Sequence, residues 1–187
     1  MTWVDQVLKA YEESEAPKKF YYWSALASLS AVLKNNVYLD RYIYKLYPNI
    51  YVMLLADSGN RKGMPINLAR RLVKLTESNR VIAGRNSIQG IINKLSLVYT
   101  TQGGNIVNQS TAFLVSGELS DFFVDDSIDT AVKVLTDLYD GQYHDDFENL
   151  LKSGAERLTN PCISMLTGTN EIYLHDILPP TAHGGGF

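Results

Sequence analysis

The segment Ala56–Gly63 is the part of the chain whose residue types and spacing come closest to a phosphate-binding loop. It follows the apolar run Ile50–Leu55, which predicts a central parallel strand covered on both faces. It precedes a helix that the apolar spacing predicts from Met64 to Thr76. Between a strand and a helix, backbone N–H groups can curl around phosphates, and the helix N-terminus adds the positive end of its dipole. Lys62 would then reach the β- and γ-phosphates of a nucleotide.

The loop departs from the full phosphate-loop pattern at three positions. Ala56 stands in place of the first glycine, Arg61 in place of the second, and Gly63 in place of the Ser or Thr that holds magnesium. Arg61 could point outward or contact phosphate itself. An ordinary glycine turn explains this loop equally well, so both interpretations stay open at this point. The candidate nucleotide-binding residues are Asp57, Ser58, Gly59, Asn60, Arg61, Lys62 and Gly63.

A carboxylate, Glu118, follows a second apolar strand, which is predicted at Ala112–Val115. A carboxylate at the end of such a strand can hold magnesium through water or polarise an attacking water molecule. The Asp that commonly precedes it is replaced here by Gly117. Glu118 could also cap the short helix predicted at Leu119–Phe123, where an acid interacts favourably with the helix dipole. The two roles are compatible.

A third apolar strand, predicted at Ile163–Leu166, is followed by small polar residues. Asn170 or Thr169 could sense the γ-phosphate from the tip of this strand. Capping of the next helix, at Glu171–Leu178, is an equally good explanation. If the three strands are adjacent and parallel, Lys62 and both candidate catalytic residues, Glu118 and Asn170, converge at one edge of the sheet, where α/β folds bind ligands.

Strands alternate with helices along the chain, which predicts an α/β fold with a mainly parallel sheet. Two helices come first, at Trp3–Ser14 and from Pro17 to about Lys34, and the second is apolar on most sides. We therefore divide the chain into an N-terminal helical segment, 1–36, packed on a core at 37–187. The other predicted elements are a strand containing Val37, Leu39, Tyr42 and Tyr44, a strand at Val81–Ala83, a helix from Ser87 to Leu97, a loop at Thr101–Asn108, a helix at Ile128–Tyr139 and a hairpin at Phe147–Thr159.

Composition limits the class of protein. The chain has 187 residues, 45% of them hydrophobic, which suits one globular domain, and a net charge of −3, which provides no global basic field for nucleic acid. Its single cysteine, Cys162, lies in an apolar run, and we predict a buried thiol. No apolar run approaches the ~20 residues of a membrane span, and no signal peptide is evident, so we expect no membrane association and a cytoplasmic, reducing location.

Two other groups of residues invite chemical interpretations. His144, Asp145 and Asp146 are better explained by a surface turn than by a metal site, and no metal site is predicted. The tyrosines suggest stacking on nucleic-acid bases, but packing beside apolar strands should explain most of them. These are Tyr38, Tyr42, Tyr44, Tyr47 and Tyr51.

Taken together, these segments resemble a widespread family of phage, prophage and mobile-element P-loop proteins. Members are often fused to or encoded near primases and are related to replicative helicases. The resemblance covers nearly the whole chain. It rests on Phe20–Leu26, Tyr47–Val52, Ser58–Gly63, Val115–Ser120, Asn160–Ser164, Thr167–Thr169 and Gly184–Phe187.

The resemblance implies a P-loop NTPase fold of the RecA/AAA-like type with ATP and Mg²⁺ as cofactors. In it, Lys62 binds phosphate, Glu118 is the catalytic carboxylate and Asn170 is the sensor. The implied function is the ATP-binding and ATP-hydrolysing core of a helicase-like DNA-replication protein from a phage or mobile element. A homo-oligomeric ring is expected of the full-length protein, and DNA is left open as a partner. The alternative is a degenerate module that binds nucleotide weakly or only scaffolds a replication complex.

The C-terminus bears on how fast such a core could turn over. Gly184–Gly186 and Phe187 look like a loop leading into another strand, so we expect the chain to be truncated inside its fold. In such families an arginine beyond this segment acts across a subunit boundary, and no arginine follows Arg157 here. Since such a finger supplies roughly 10³–10⁵ in turnover, we expect the isolated chain to bind ATP better than it hydrolyses it.

Overall fold

The computed structural model describes residues 1–76, 79–97, 99–100, 106–107, 109–124, 128–140, 146–151 and 154–177. The helices are α1 (Trp3–Ala10), α2 (Lys18–Leu33), α3 (Gly63–Lys74), α4 (Ile88–Ser96), α5 (Ile128–Tyr139) and α6 (Glu171–Ile177), with a 3-10 helix at Leu119–Phe122. The first strands are β1 (Leu39–Asp40), β2 (Lys45–Leu46), β3 (Tyr51–Leu55), β4 (Val81–Ala83), β5 (Tyr99–Thr100) and β6 (Ile106–Val107). The later strands are β7 (Thr111–Ser116), β8 (Asp146–Leu151), β9 (Gly154–Thr159) and β10 (Cys162–Thr169).

Four strands form the central sheet in the order β3-β10-β7-β4. All three neighbouring pairs are parallel. The predicted α/β class with a mainly parallel sheet is therefore confirmed, and so is the predicted adjacency of the three strands that carry the candidate site. Because the strands are parallel, the segments that follow them all leave from the same edge.

Helices cover both faces of this sheet. Successive residues of a strand point to opposite faces, so Phe113 and Leu114 of β7 belong to different core clusters. Phe113 packs with Phe20 of α2 and Ile66 of α3. Leu114 is in the cluster that contains buried residues of α4 and α5, and this two-sided cover explains why the strands are continuous apolar runs. Helix α2 shares the core of the sheet, while the division of the chain at residue 36 stays a prediction.

The position of β3 corrects one expectation. The run Ile50–Leu55 was expected to be a central strand, but β3 ends the sheet within the described residues and pairs only with β10. Its faces are covered nonetheless. Val52 and Leu54 join the cluster of α2 and α3, while the Tyr51 ring packs edge-on against Tyr139 with ring centroids 5.0 Å apart. An apolar run therefore indicates that both faces of a strand are covered. It does not show whether the strand lies in the middle of the sheet or at its edge.

Two N-terminal elements also differ from the predictions. Helix α1 ends at Ala10 instead of Ser14, and the chain then turns back so that Tyr11 stacks on Tyr21 at 4.8 Å. Glu12 and Glu13 follow, and their negative charges are unfavourable at the C-terminal end of a helix, where the dipole is also negative. The strand expected across 37–44 is instead the antiparallel pair β1–β2, because the chain turns over between these two short strands.

The remaining predicted elements are largely confirmed. β4, α5 and the β8–β9 hairpin lie where the sequence places them, and the Ser87 hydroxyl accepts from the Gly90 N–H at the start of α4. The segment expected to be a loop at 101–108 instead contains β6, which pairs with β5. Four sets of predicted features lie outside the described residues: the loop at 101–105, the turn containing His144 and Asp145, Ser153 of the hairpin turn, and the segment from Leu178 to Phe187.

Candidate functional site

Two left-handed residues shape the candidate phosphate loop. Ala56 N–H donates to the Thr169 carbonyl at 3.2 Å, which ties the start of the loop to the end of β10. Gly59 then has a φ of +92° and Arg61 a φ of +53°. The first value suits glycine, whereas the second costs an L-residue roughly 1–2 kcal/mol. Arg61 is therefore held in a conformation that glycine, the usual residue at this position of the pattern, adopts without strain.

Several backbone donors in this loop have no acceptor in the part of the chain that the structure describes. Among the described residues, the N–H groups of Gly59, Arg61, Lys62 and Gly63 make no hydrogen bond. Gly63 begins α3, so its N–H belongs to the first turn, which has no intrahelical partners. Consecutive unpaired N–H groups beside the positive end of a helix dipole form an environment that favours an anion.

The Lys62 side chain folds back over its own loop. Its Nζ donates to the Ala56 carbonyl and, at 3.2 Å, to the Asp57 carbonyl. These are bonds from a charged donor to neutral acceptors, and a phosphate oxygen would add the attraction between opposite charges. A phosphate on the loop would therefore be a better partner for this ammonium than the carbonyls are.

Arg61 points away from the loop, toward the turn between α1 and α2. Its Nε donates to a carboxylate oxygen of Glu15 at 2.9 Å. Both side chains are mostly exposed, 61% and 71%, and such surface pairs are worth about 0–1 kcal/mol. Of the two orientations considered from the sequence, the structure has the outward one, and only a weak contact maintains it.

The ends of the three predicted strands meet at the loop. A Cβ placed on Gly168 of β10 would lie 2.6 Å from the Gly117 carbonyl oxygen, which follows β7, and 3.5 Å from Cε of Lys62. The backbone of β10 thus lies against both Lys62 and the residue preceding Glu118. The close approach of these strand ends depends on the missing side chain at Gly168, while the convergence of Lys62, Glu118 and Asn170 stays a prediction.

This close approach predicts the effect of a Gly168→Ala substitution. The added methyl would collide with the backbone at Gly117, so we expect the free energy of unfolding to fall by about 1–3 kcal/mol, as for other overpacked sites. Chemical denaturation measures the change. Gly117→Ala is the matched control, because nothing lies within 4 Å of a Cβ at that position. Equal stability of the two variants would contradict the described packing.

Glu118 lies at the N-terminus of the 3-10 helix, but its side chain makes no capping hydrogen bond. Glu118 therefore occupies the N-cap position considered from the sequence, but without the capping hydrogen bond of its side chain. The residue is exposed at the edge of the sheet that carries the phosphate loop. Its carboxylate is available to a ligand or a water molecule there.

The sequence interpretation missed a second carboxylate, Asp121, in the turn after β7. The Ser116 hydroxyl donates to its Oδ2, and its backbone carbonyl accepts from the Asn86 N–H at 2.8 Å. Asp121 thereby joins the ends of β7 and β4. The signal available in the sequence was an acid one helical turn after Glu118, a spacing that places both on the same short helix.

Asn170 does cap the following helix. Its Oδ1 accepts from the Tyr173 N–H at 2.7 Å, so the capping explanation holds for this residue. Its Nδ2 group makes no hydrogen bond with the described residues. Capping of α6 uses the side-chain oxygen of Asn170 and leaves its NH₂ group able to donate. Asn170 can therefore cap the helix and donate to a phosphate oxygen at the same time.

Two other features lie away from this edge. Cys162 is buried, as predicted, and burial raises the pKa of its thiol to about 12. An apolar cavity of about 360 Å³ lies beside β3, lined by Trp23, Ile50–Met53, Thr136, Tyr139 and Met165. It has no charged group to hold a phosphate, so we place the candidate site at the loop and not in this cavity.

Within the described ranges, no group of three or more His, Cys, Asp or Glu side chains is arranged to hold a metal ion. No helix in the same ranges has both the length and the apolar character to cross a membrane. The chain matches no protein-family model and no curated protein sequence.

Proposed function

We propose that this chain is the ATP-binding and ATP-hydrolysing core of a helicase-like DNA-replication protein from a phage or mobile element. One observation carries the proposal: the unpaired N–H groups of the loop, the Lys62 ammonium and the backbone of Gly117 lie together at the carboxyl edge of a parallel sheet. This edge is where α/β sheets bind ligands. The P-loop fold assignment and the DNA-replication setting rest in addition on the family resemblance.

The residues present fit the phosphates of a nucleotide. The donors of Gly59, Arg61, Lys62 and Gly63 need acceptors, and phosphate oxygens supply them together with a charge that suits the start of α3. Lys62 would exchange its two carbonyl partners for the β- and γ-phosphates. Arg61 could add a further charged contact, since only an exposed pair with Glu15 holds it elsewhere.

The fit to Mg²⁺ is less complete on the protein side. Gly63 has no side chain to offer the ion, so the nucleotide phosphates and water would supply most of its ligands. Glu118 is an exposed carboxylate at the right edge of the sheet, and Asp121 lies in the same turn. Mg²⁺ would neutralise charge on the phosphates, and the protein would contact it chiefly through water.

The roles of the side chains in hydrolysis follow from their positions. Because β10 separates β3 from β7, the strands bearing the loop and Glu118 are about 10 Å apart, which leaves room for a triphosphate and a water molecule. The oxygen of that water would attack the γ-phosphorus while Glu118 accepts its proton, and the bond from the γ-phosphorus to the bridging oxygen of ADP would break. Lys62 would stabilise the charge that develops on the departing ADP, and the free Nδ2 of Asn170 would orient the γ-phosphate.

A nucleotide-binding module without hydrolysis is the second candidate. Gly63 and Gly117 stand where side chains that hold magnesium are common, and this favours the second candidate. The exposed, uncapped Glu118 favours the hydrolysing one. Both candidates require the phosphate loop, and a measurement of ATP hydrolysis distinguishes them.

The experiment that tests both is a calorimetric titration with ATP, ADP and AMP in the presence of Mg²⁺, followed by an assay of phosphate release. We expect ATP and ADP to bind and AMP to bind far more weakly, because the loop recognises the β- and γ-phosphates. Release of phosphate above the uncatalysed rate supports hydrolysis, and binding without release supports the module. Equal affinity for all three nucleotides, or no binding at all, would overturn the proposal.

A further inference from the structure

The β1–β2 hairpin carries an unusual exposed surface. All residues from 36 to 46 are exposed. Tyr42 is 100% exposed and Ile43 88%, at the turn between the two strands. We call residues 38–47 the tyrosine hairpin. The expectation that packing explains most of these tyrosines therefore holds for the half-buried Tyr47 and fails at the tip.

Local hydrogen bonds hold the tip of the tyrosine hairpin in one shape. The Tyr42 N–H donates to Oδ1 of Asp40 at 2.8 Å, and the Arg41 N–H donates to the Tyr44 carbonyl at 2.9 Å. Tyr42 has a φ of +70°, a left-handed conformation that is rare for a bulky residue. A tyrosine kept in this conformation, with no packing contact to require its ring, indicates a function for the ring itself.

The base of the tyrosine hairpin is stiffened by aromatic contacts. The Lys45 Nζ lies 4.4 Å from the centroid of the Tyr38 ring. The Tyr38 ring meets the Tyr47 ring edge-on at 5.9 Å. These contacts fix the direction in which the tip projects, so a ligand at Tyr42 meets a preformed surface.

The charges beside Tyr42 are mainly positive. Arg41 and Lys45 flank the tip, and the one carboxylate, Asp40, already accepts the Tyr42 N–H. An exposed aromatic ring flanked by cations, in a chain whose net charge is −3, suits a ligand with flat faces and a negative backbone. A purely apolar protein surface would give neither cation an anionic partner.

The tyrosine hairpin is also remote from the phosphate loop. It connects the end of α2 to the start of β3, and the Asn35 side chain donates to the Asn160 carbonyl just before β10. It therefore lies at the amino edge of the sheet, whereas the loop lies at the carboxyl edge. A ligand on the hairpin would leave the nucleotide site open.

We propose that the tyrosine hairpin binds single-stranded DNA, with a base stacked on Tyr42 and phosphates contacted by Arg41 and Lys45. The choice of DNA over RNA rests on the proposed function, whereas the single-strand chemistry rests on the hairpin itself. A duplex buries its base faces, and only a single strand offers them to a ring.

Fluorescence anisotropy with labelled oligothymidylate of about 16 nucleotides, near the upper footprint of a single-strand-binding module, tests this proposal. Tyr42→Ala should weaken binding about 5- to 150-fold, the range seen when one stacked base loses its partner. Tyr42→Phe keeps the ring and should bind like the wild type. Tyr173→Ala, which removes another half-exposed tyrosine at the opposite edge, should also have no effect.

The cations give a second, independent measurement. Arg41→Ala should lower the slope of log affinity against log salt by about 0.7, the value for one phosphate contact on a single strand. No binding by the wild type, or binding by Tyr42→Ala equal to wild type, would overturn the proposal. Tighter binding of oligouridylate than of oligothymidylate would assign the surface to RNA and overturn the choice of DNA. Since hairpin variants should bind ATP normally, failure here is distinguishable from failure of the proposed nucleotide site.

Discussion

A Lys62→Ala variant should bind ATP about 10- to 150-fold more weakly than the wild type. The substitution removes a charged donor to phosphate, and such bonds contribute about 1.5–3 kcal/mol. Folding should change little, since Lys62 now bonds only to carbonyls of its own exposed loop. Titration of a fluorescent ATP analogue measures the effect.

Lys74→Ala is the matched control for this variant. It removes the same charge from an exposed position at the opposite end of α3. If the two variants lose affinity equally, the loss reflects net charge and not a specific contact. An unchanged affinity in Lys62→Ala would remove the main support for the phosphate loop.

Glu118→Gln should lower ATP turnover by about 10²- to 10⁴-fold and leave ATP affinity nearly unchanged. The amide keeps the shape of the side chain but accepts no proton from the attacking water, and general bases contribute this much to rate. Phosphate release per subunit, measured with saturating ATP, gives the turnover. The effect is the largest expected for any single substitution in this chain.

Glu171→Gln is the control for Glu118→Gln. It neutralises another exposed carboxylate, in the first turn of α6 at the same edge of the sheet. We expect its turnover to match the wild type. Equal turnover in Glu118→Gln and the wild type would assign catalysis to another residue, with Asp121 the next carboxylate to examine.

Much of the fold was predictable because its strands are fully covered. β7 and β10 are buried at every position, and their mainly apolar central segments, Ala112–Val115 and Ile163–Leu166, allowed both strands to be located correctly. The order of the strands could not be obtained in this way. The run of β3 looks the same as that of β7, although β3 ends the described sheet and β7 lies inside it.

The site was predictable in its residue types and less so in their contacts. Lys62 in the loop and Glu118 after β7 could be identified as candidate site residues from their positions in the sequence. Whether a side chain caps the following helix could be decided only from the structure. Asn170 accepts a capping hydrogen bond and Glu118 makes none, although both follow strands and precede helices. Asp121 was missed because its link to Ser116 depends on the turn after β7.

Exposure was the property that the sequence predicted least well. The tyrosines of the hairpin lie beside apolar residues such as Leu39 and Ile43 in what looks like a strand, so packing was the natural expectation. Two short strands with a tight turn between them have too few neighbours to bury such rings. Tyr42 is fully exposed as a result.

The central claim is that the phosphates of ATP lie on the loop at Ala56–Gly63. A crystal structure with a non-hydrolysable ATP analogue and Mg²⁺ tests it most directly. We expect phosphate oxygens within hydrogen-bonding distance of the N–H groups of Gly59, Arg61, Lys62 and Gly63, with Lys62 Nζ moved from the Ala56 carbonyl to the β- and γ-phosphates. An analogue found in the apolar cavity beside β3, or phosphates with no contact to the loop, would contradict it.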